Sequence, residues 1–299
     1  MYERYFQLTD RPFSLTPDPD FLFLSTSHQQ ALEHLVYGLE TGEGFIVMTG
    51  DIGVGKTTVC RTLLGRLSGE FTTALVLNPM LTEKELVRGI LDDFGAERAN
   101  GTKKDCLDAL NRFLLAEAAR GRRPVLIIDE AQNLSPPLLE QVRLLSNLET
   151  EKRKLLQIVL IGQKELKEKL SLPSLRQLNQ RVTVRAEILP LTRKETSRYI
   201  DHRLGVVGGA GRRFLSAGAE RAIFRHAKGV PRRINMLCDR AFLSSYLRGG
   251  AGVERKDVLR AVESLSDDPG MARRLLRWVA WVTHMLTLLA AAGMNRWIA

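Results

Sequence analysis

A chain of 299 residues, 44% of them hydrophobic, is long enough for a real core in one large or two modest domains. Its three cysteines (Cys60, Cys106, Cys238) are odd in number and widely spaced, and its five histidines show no ligand spacing, which excludes a disulfide framework and a zinc site. The formal charge of +10 is uneven: residues 1–170 hold 21 Lys and Arg against 24 Asp and Glu, and residues 171–274 hold 21 against 10, a basic half suited to nucleic acid, an anionic lipid surface or a bound phosphate.

The N-terminus, Met1-Tyr2-Glu3-Arg4-Tyr5-Phe6, lacks the apolar stretch of a signal peptide, which predicts that the bulk of the chain stays in the cytoplasm. Pro12, Pro17 and Pro19 make Arg11–Asp20 an extended, helix-poor strap, and a helix is predicted over Ser27–Leu39. The apolar run Phe45-Ile46-Val47-Met48 opens a buried strand, Phe45–Thr49. That strand leads into Gly50-Asp51-Ile52-Gly53-Val54-Gly55-Lys56-Thr57-Thr58, which is GxxxxGK[ST] followed by a helix predicted over Lys56–Leu67. Gly50, Gly53 and Gly55 let the backbone curl until its N–H groups converge on a polyphosphate, which the helix N-terminus also attracts. Lys56 is placed to bridge the β- and γ-phosphates, and the Thr57 hydroxyl to hold Mg²⁺. Residues 50–58 therefore point to a bound nucleoside triphosphate.

A strand at Thr73–Leu77 and amphipathic helices at Thr82–Phe94 and Cys106–Ala119 follow. Val125-Leu126-Ile127-Ile128 reads as a central strand of a parallel sheet, buried on both faces, and ends in Asp129-Glu130. Acids at that end of a strand lie where open α/β sheets bind ligands. Asp129 suits a Mg²⁺ ligand, directly or through water, and Glu130 suits a base that polarises an attacking water. A helix over Pro136–Leu148 is predicted with Ser135 as N-cap and Pro136 in its first turn. Strands at Gln157–Ile161 and Val182–Ile188 complete the set. After Pro190 the strands stop, and Thr192–Leu204, Ser216–Ala227, Pro231–Leu247 and Arg255–Ser264 all read as helices. The predicted architecture is α/β, a parallel sheet sandwiched by helices. Its boundaries are 1–190 for the core and strap, 191–266 for a small all-helical domain, and 267–299 for a basic linker and a hydrophobic C-terminal helix.

With these motifs in order, the chain resembles the AAA+ ATPases, and among them the general secretion pathway protein A family, over residues 1–265. That family includes ATPases of type II secretion, of MSHA-type pilus biogenesis and of exosortase-associated export. The resemblance rests on Arg11-Pro12-Phe13-Ser14-Leu15-Thr16-Pro17-Asp18-Pro19, on Tyr37-Gly38-Leu39 and on the phosphate loop. It continues through the stretches Leu126–Ser135, Leu144–Thr150 and Ile158–Gln163 and closes with Gly229-Val230-Pro231-Arg232-Arg233-Ile234-Asn235. It implies a P-loop NTPase fold with a helical lid, ATP with Mg²⁺, and hydrolysis to ADP and phosphate; the preference for ATP over GTP comes from the resemblance alone. Gln163 matches the sensor-1 position that helps orient the attacking water. Arg232 matches sensor 2, an arginine that reaches the γ-phosphate. Arg181 resembles the arginine finger that one subunit inserts into the site of the next, with Arg176 as second candidate; a planar, always-charged fork suits a phosphoryl transition state. A finger in trans implies a homo-oligomer, expected as a hexamer. The strap is expected either beside the adenine or as a surface band without ligand contact.

Trp278–Met294 runs 17 residues without a formal charge. At ~1.5 Å per residue it spans about 26 Å, short of the ~30 Å hydrocarbon core. Tryptophans at one end, after Arg273, Arg274 and Arg277, match an aromatic belt and a positive-inside flank. His284 with Thr283 and Thr287 makes a polar stripe, which suits an interfacial or subunit-packing helix instead. The family typically follows a span here with a periplasmic peptidoglycan-binding domain, which the five residues after Met294 do not supply. Two functions follow. In one, an ATPase associated with the inner membrane assembles or energises secretion, pilus or export machinery. In the other, a soluble AAA+ regulator assembles on DNA, as transposition regulators and phage-type target selectors of the same domain family do. The basic half favours DNA, but no helix-turn-helix signature and no basic patch interleaved with aromatics is found. A nucleotide switch with negligible turnover is disfavoured by the complete set Glu130, Gln163 and Arg232.

Overall fold

The computed structural model describes residues 1–265, less Pro17, Ser68, residues 78–81, 98–100 and 150–153 and the side chain of Pro19. The predicted C-terminal helix, Trp278–Met294, and the linker before it lie outside the described residues. The chain forms two compact units. The first comprises Glu3–Arg212 with Ala227–Met236; the second comprises Arg213–His226, the chain from Leu237 on, and Tyr2.

In the first unit, β1 (Phe45–Gly50), β2 (Phe71–Val76), β3 (Arg123–Ile128), β4 (Gln157–Gly162) and β5 (Val182–Ile188) form one sheet in the order β2-β3-β4-β1-β5. Every pairing is parallel. β1 and β4 are buried at every position. That explains why their sequences run apolar without alternation. Side chains still divide by the two-residue period. Phe45, Val47, Leu126, Ile128, Ile158 and Leu160 join one core layer; Ile46, Met48, Val125, Ile127, Val159 and Ile161 join the other.

The elements outside the sheet are helical. α1 (Tyr2–Tyr5) opens the chain, and α2 (Thr26–Glu40) and α3 (Lys56–Arg66) cover the second layer. α4 (Glu83–Asp93), α5 (Lys103–Ala119), α6 (Pro136–Leu145), α7 (Lys164–Leu170) and α8 (Arg176–Arg181) cover the first. α9 (Arg193–Leu204) follows the sheet, then α10 (Ala217–Ala227), α11 (Pro231–Leu247) and α12 (Arg255–Leu265).

Local chemistry sets the helix ends. α4, α5 and α9 start on reciprocal capping boxes, Thr82 with Glu85, Thr102 with Asp105, and Thr192 with Glu195. The Thr102 box starts α5 three residues before the predicted Cys106. Ser135 occupies the N-cap of α6 and Pro136 the first turn, but the Ser135 side chain makes no capping bond. α6 stops at Leu145 rather than Leu148, where the Ser146 hydroxyl donates to the Arg143 carbonyl at 2.7 Å.

The second unit is helical, with an isolated parallel bridge between Leu215 and Val253. Tyr2 packs on Phe242 and donates its hydroxyl to Asp239 at 2.8 Å. The buried Asp257 carboxylate is held by Arg248, at 2.9 Å through Nε and 2.8 Å through Nη2. Among the described residues no helix is long and apolar enough to cross a membrane.

Candidate functional site: a nucleotide cavity at the strand ends

β1 ends at Gly50, and the chain loops into α3 at Lys56. Gly53 and Gly55 adopt φ of +78° and +104°. A Cβ at Gly53 would come 2.7 Å from Arg232 Cβ, and one at Gly55 2.8 Å from His28 Nε2, so neither position has room for a side chain. Lys56 is 6% exposed, and its ammonium donates to the carbonyls of Gly50 and Asp51, each at 3.1 Å. Burial pulls its pKa below the ordinary lysine value, against the opposing pull of Glu130, Asp129 and Asp51.

Beneath the loop lies His28, 3% exposed, at the third position of α2. Its Nε2 is 2.7 Å from the Val54 carbonyl, which can only accept, so Nε2 carries the proton. Nδ1 accepts from the Ser25 N–H at 3.3 Å and lies 2.5 Å from the Ser25 hydroxyl. Burial lowers the His28 pKa, which favours this neutral ring.

β3 supplies the acids. The Thr57 hydroxyl donates to Asp129 Oδ2 at 3.1 Å, and the Glu130 N–H donates to Asp129 Oδ1 at 2.8 Å. Two hard oxygens this close suit Mg²⁺, which takes one or two protein oxygens and completes its shell with phosphate and water. Glu130 sits at φ +51° and ψ +35°. This left-handed conformation costs a non-glycine residue about 1–2 kcal/mol. Its Oε2 accepts from Gln132 Nε2 at 2.5 Å and from Gln163 Nε2 at 3.2 Å. Gln132 Oε1 in turn accepts the Gln163 backbone N–H at 3.0 Å, so the three residues close a ring.

Thr57, Glu130 and Gln163 of this set border a cavity of about 820 Å³. That volume lies within the range of cofactor sites. Lys56, Thr57, Glu130 and Gln163 line one side; Arg232, whose N–H donates to the Gly53 carbonyl at 3.2 Å, lines another. Ser14, Phe21 and Phe23 bring the N-terminal segment onto the cavity wall. Arg203, 6% exposed, ties that segment to α9: it donates to the Pro12 carbonyl, to the Ser14 carbonyl at 3.3 Å and to the Tyr199 hydroxyl at 3.1 Å. Its guanidinium lies 4.5 Å from the Phe21 ring centroid.

Residues 39–170 match the AAA domain family. The fold is that of an AAA-type P-loop NTPase. The chain is 44% identical over 268 residues to general secretion pathway protein A of Aeromonas hydrophila, which covers 89% of this chain and 49% of that protein. It thus resembles that protein along nearly its whole length and spans about half the length of the relative. Among solved structures, Drosophila ORC bound to DNA matches with a TM-score of 0.66 and 19% identity, over 87% of this chain and 66% of that one. The RuvB Holliday junction branch migration motor of Thermotoga maritima matches at 0.55 and 17%, over 89% and 81%. Both show the fold alone.

Within this AAA-type fold, the residues singled out from the sequence are not all together. Ile52–Thr58, Glu130, Gln163 and Arg232 share the cavity. Gly50 and Asp51 meet Lys56 through their carbonyls, and the Asp51 carboxylate pairs with Lys164 at 3.0 Å. Arg181 does not line the cavity; it donates to Ser146 Oγ at 2.8 Å and Asn147 Oδ1 at 2.6 Å. Neither His28 nor Gln132 is marked as a site residue by the sequence, where the histidines show no more than an absence of ligand spacing. Ser25-x-x-His28 carries a helix-start signal, but nothing local shows that the imidazole reaches residue 54.

Proposed function

We propose that the chain is a Mg²⁺-dependent ATPase that assembles or energises a bacterial envelope secretion, pilus or export system. One observation carries the enzymatic reading: the phosphate loop with Thr57, the Glu130–Gln163 pair and Arg232 line a single cavity, and buried Asp129 accepts from the Thr57 hydroxyl behind it. The loop N–H groups and Lys56 bind the polyphosphate. The strap and Tyr199 supply the wall for the base. Thr57 and Asp129 would hold Mg²⁺, which when bound neutralises phosphate charge. Gln163 orients a water, Glu130 takes its proton as the oxygen attacks the γ-phosphorus, and Arg232 stabilises the charge on the transferred group. ADP and inorganic phosphate leave.

Arg181, held at the end of α6 by Ser146 and Asn147, acts as a finger on a neighbouring subunit in this reading, so the functional form is a homo-oligomer, expected as a hexamer. Residues 191–266 act as the lid that carries Arg232. Turnover per subunit then rises with protein concentration, and Arg181→Ala removes that rise; a flat rate down to monomeric protein overturns the trans finger.

The 44% identity to general secretion pathway protein A supports the envelope role. The ATPase domain is placed in the cytoplasm, anchored to the inner membrane by Trp278–Met294. Membrane-pellet retention after high-salt and alkaline washes, compared with a chain ending at Asp268, tests the anchor. Retention that needs residues 269–299 supports it; full solubility of both chains removes it. A second reading, assembly on DNA, is favoured by the 21-to-10 basic excess of residues 171–274.

A further inference from the structure

The second unit contains a groove that the nucleotide site does not use. Arg221, Arg225 and His226 of α10 face Arg255 and Leu259 of α12 across a depression of about 250 Å³. The helices approach closely, with Arg255 Cβ 3.6 Å from where a Cβ on Gly218 would lie. Among the described residues, none of the three arginines is within ion-pair distance of a carboxylate, and no acid lines the groove. Arg221 donates through Nε to the Ala217 carbonyl of its own helix at 3.1 Å. The same unit neutralises arginine elsewhere: Arg248 meets Asp257 at 2.8 Å and Glu254 at 3.2 Å. With no carboxylate paired to these three arginines among the described residues, a phosphate monoester or diester can supply the counter-charge through fork-shaped hydrogen bonds.

We propose that this groove binds the phosphate of an anionic lipid headgroup at a membrane surface. The choice of lipid rests on the membrane-side placement proposed above. Residues 266–277 separate the end of α12 from Trp278. At a maximum of ~3.6 Å per residue, a bilayer-bound Trp278 keeps α12 within about 45 Å of the surface. That tether concentrates headgroups at the groove. The depression is small, about 250 Å³, and the aromatic ring in its lining is that of His226, so it lacks the succession of stacking platforms that a nucleic-acid strand uses.

The test is flotation of the full chain on vesicles of phosphatidylcholine alone and of phosphatidylcholine mixed with phosphatidylglycerol. The wild type is compared with the triple variant Arg221→Gln, Arg225→Gln, Arg255→Gln; these positions are exposed, and an unchanged helical circular-dichroism signal and urea-unfolding profile confirm that the variant is folded. The wild type should bind the anionic vesicles more tightly than the neutral ones. The variant should lose roughly a hundredfold of that gain, since each basic group at an anionic surface contributes about fivefold, while its neutral-vesicle binding is unchanged. An equal anionic gain in both proteins overturns the groove and assigns the effect to Arg273, Arg274 and Arg277. Binding to anionic vesicles that needs the groove, without any binding to neutral ones, retains the groove and sinks the anchor. No anionic binding by the wild type, or a groove-dependent affinity for a duplex DNA probe in its place, overturns the lipid assignment.

Discussion

Replacing His28 tests how the phosphate loop is aimed. The Val54 carbonyl and the Gly55 N–H belong to one planar peptide. Holding that carbonyl on His28 Nε2 at 2.7 Å therefore turns the N–H to the opposite side, where a phosphate oxygen would sit. His28→Ala leaves a buried carbonyl without its donor, at a cost of about 1–3 kcal/mol, and opens a void the size of an imidazole. If the peptide rotates to recover a donor, the loop loses one N–H bond to a charged phosphate. Such a bond is worth about 1.5–3 kcal/mol, or roughly tenfold to a hundredfold in Kd. Titration with a fluorescent ATP analogue should show weakening of that size in His28→Ala. His28→Gln, whose amide reaches a similar donor position, should recover part of it. Urea unfolding in parallel separates binding from stability. Wild-type affinity in His28→Ala, with only a lowered unfolding midpoint, would refute the reasoning and leave His28 as a packing residue.

The pH dependence of stability follows from the same side chain. Burial holds the His28 pKa below its usual 6.5. The unfolded chain therefore binds the proton first, and the stability contributed by the neutral ring is complete above pH 6.5 and lost as pH falls toward the folded value. His28→Gln should flatten that decline in urea midpoints measured from neutral to mildly acidic pH; an unchanged slope excludes His28 as its source. Burial, reinforced by the Asp129 charge, pushes the Cys60 thiol up to about 12. Native protein at pH 8 should leave Cys60 unlabelled by iodoacetamide, by mass spectrometry, until urea exposes it; labelling at the rate of a free thiol contradicts the burial of α3. Gln132→Ala removes the 2.5 Å bond to Glu130 and the acceptor for the Gln163 N–H. It should lower phosphate release by about tenfold to a hundredfold without changing ATP affinity, as misplacement of a reacting group does; an unchanged rate makes the ring dispensable.

Much of the fold is legible because its signals are local. Phe45–Met48 and Val125–Ile128 are short, apolar and β-branched since both faces of their strands are covered, and Gly53 and Gly55 of the phosphate loop sit where φ is positive, while Gly50 ends β1. Pro231 marks the start of α11 correctly, as a residue without an N–H can at a first turn. α7 and α8 escape notice because helices of seven and six residues are too short to show a 3.6-residue pattern. The Glu130–Gln132–Gln163 ring is illegible for another reason. It depends on a left-handed Glu130 and on β4 lying beside β3, a pairing that no window of sequence contains. The same holds for Arg203, whose partners Pro12 and Ser14 lie about 190 residues away in the chain.

The most direct test of the ATPase account is phosphate release and ATP binding measured side by side for the wild type and Glu130→Gln, with Mg²⁺ and saturating ATP. The account predicts steady phosphate release by the wild type. The variant should bind ATP as tightly and release phosphate at least about a hundredfold more slowly, the loss expected when a catalytic base is removed. Equal rates in the two proteins, or tight ATP binding by a wild type that releases no phosphate over a range of protein concentrations, would contradict it.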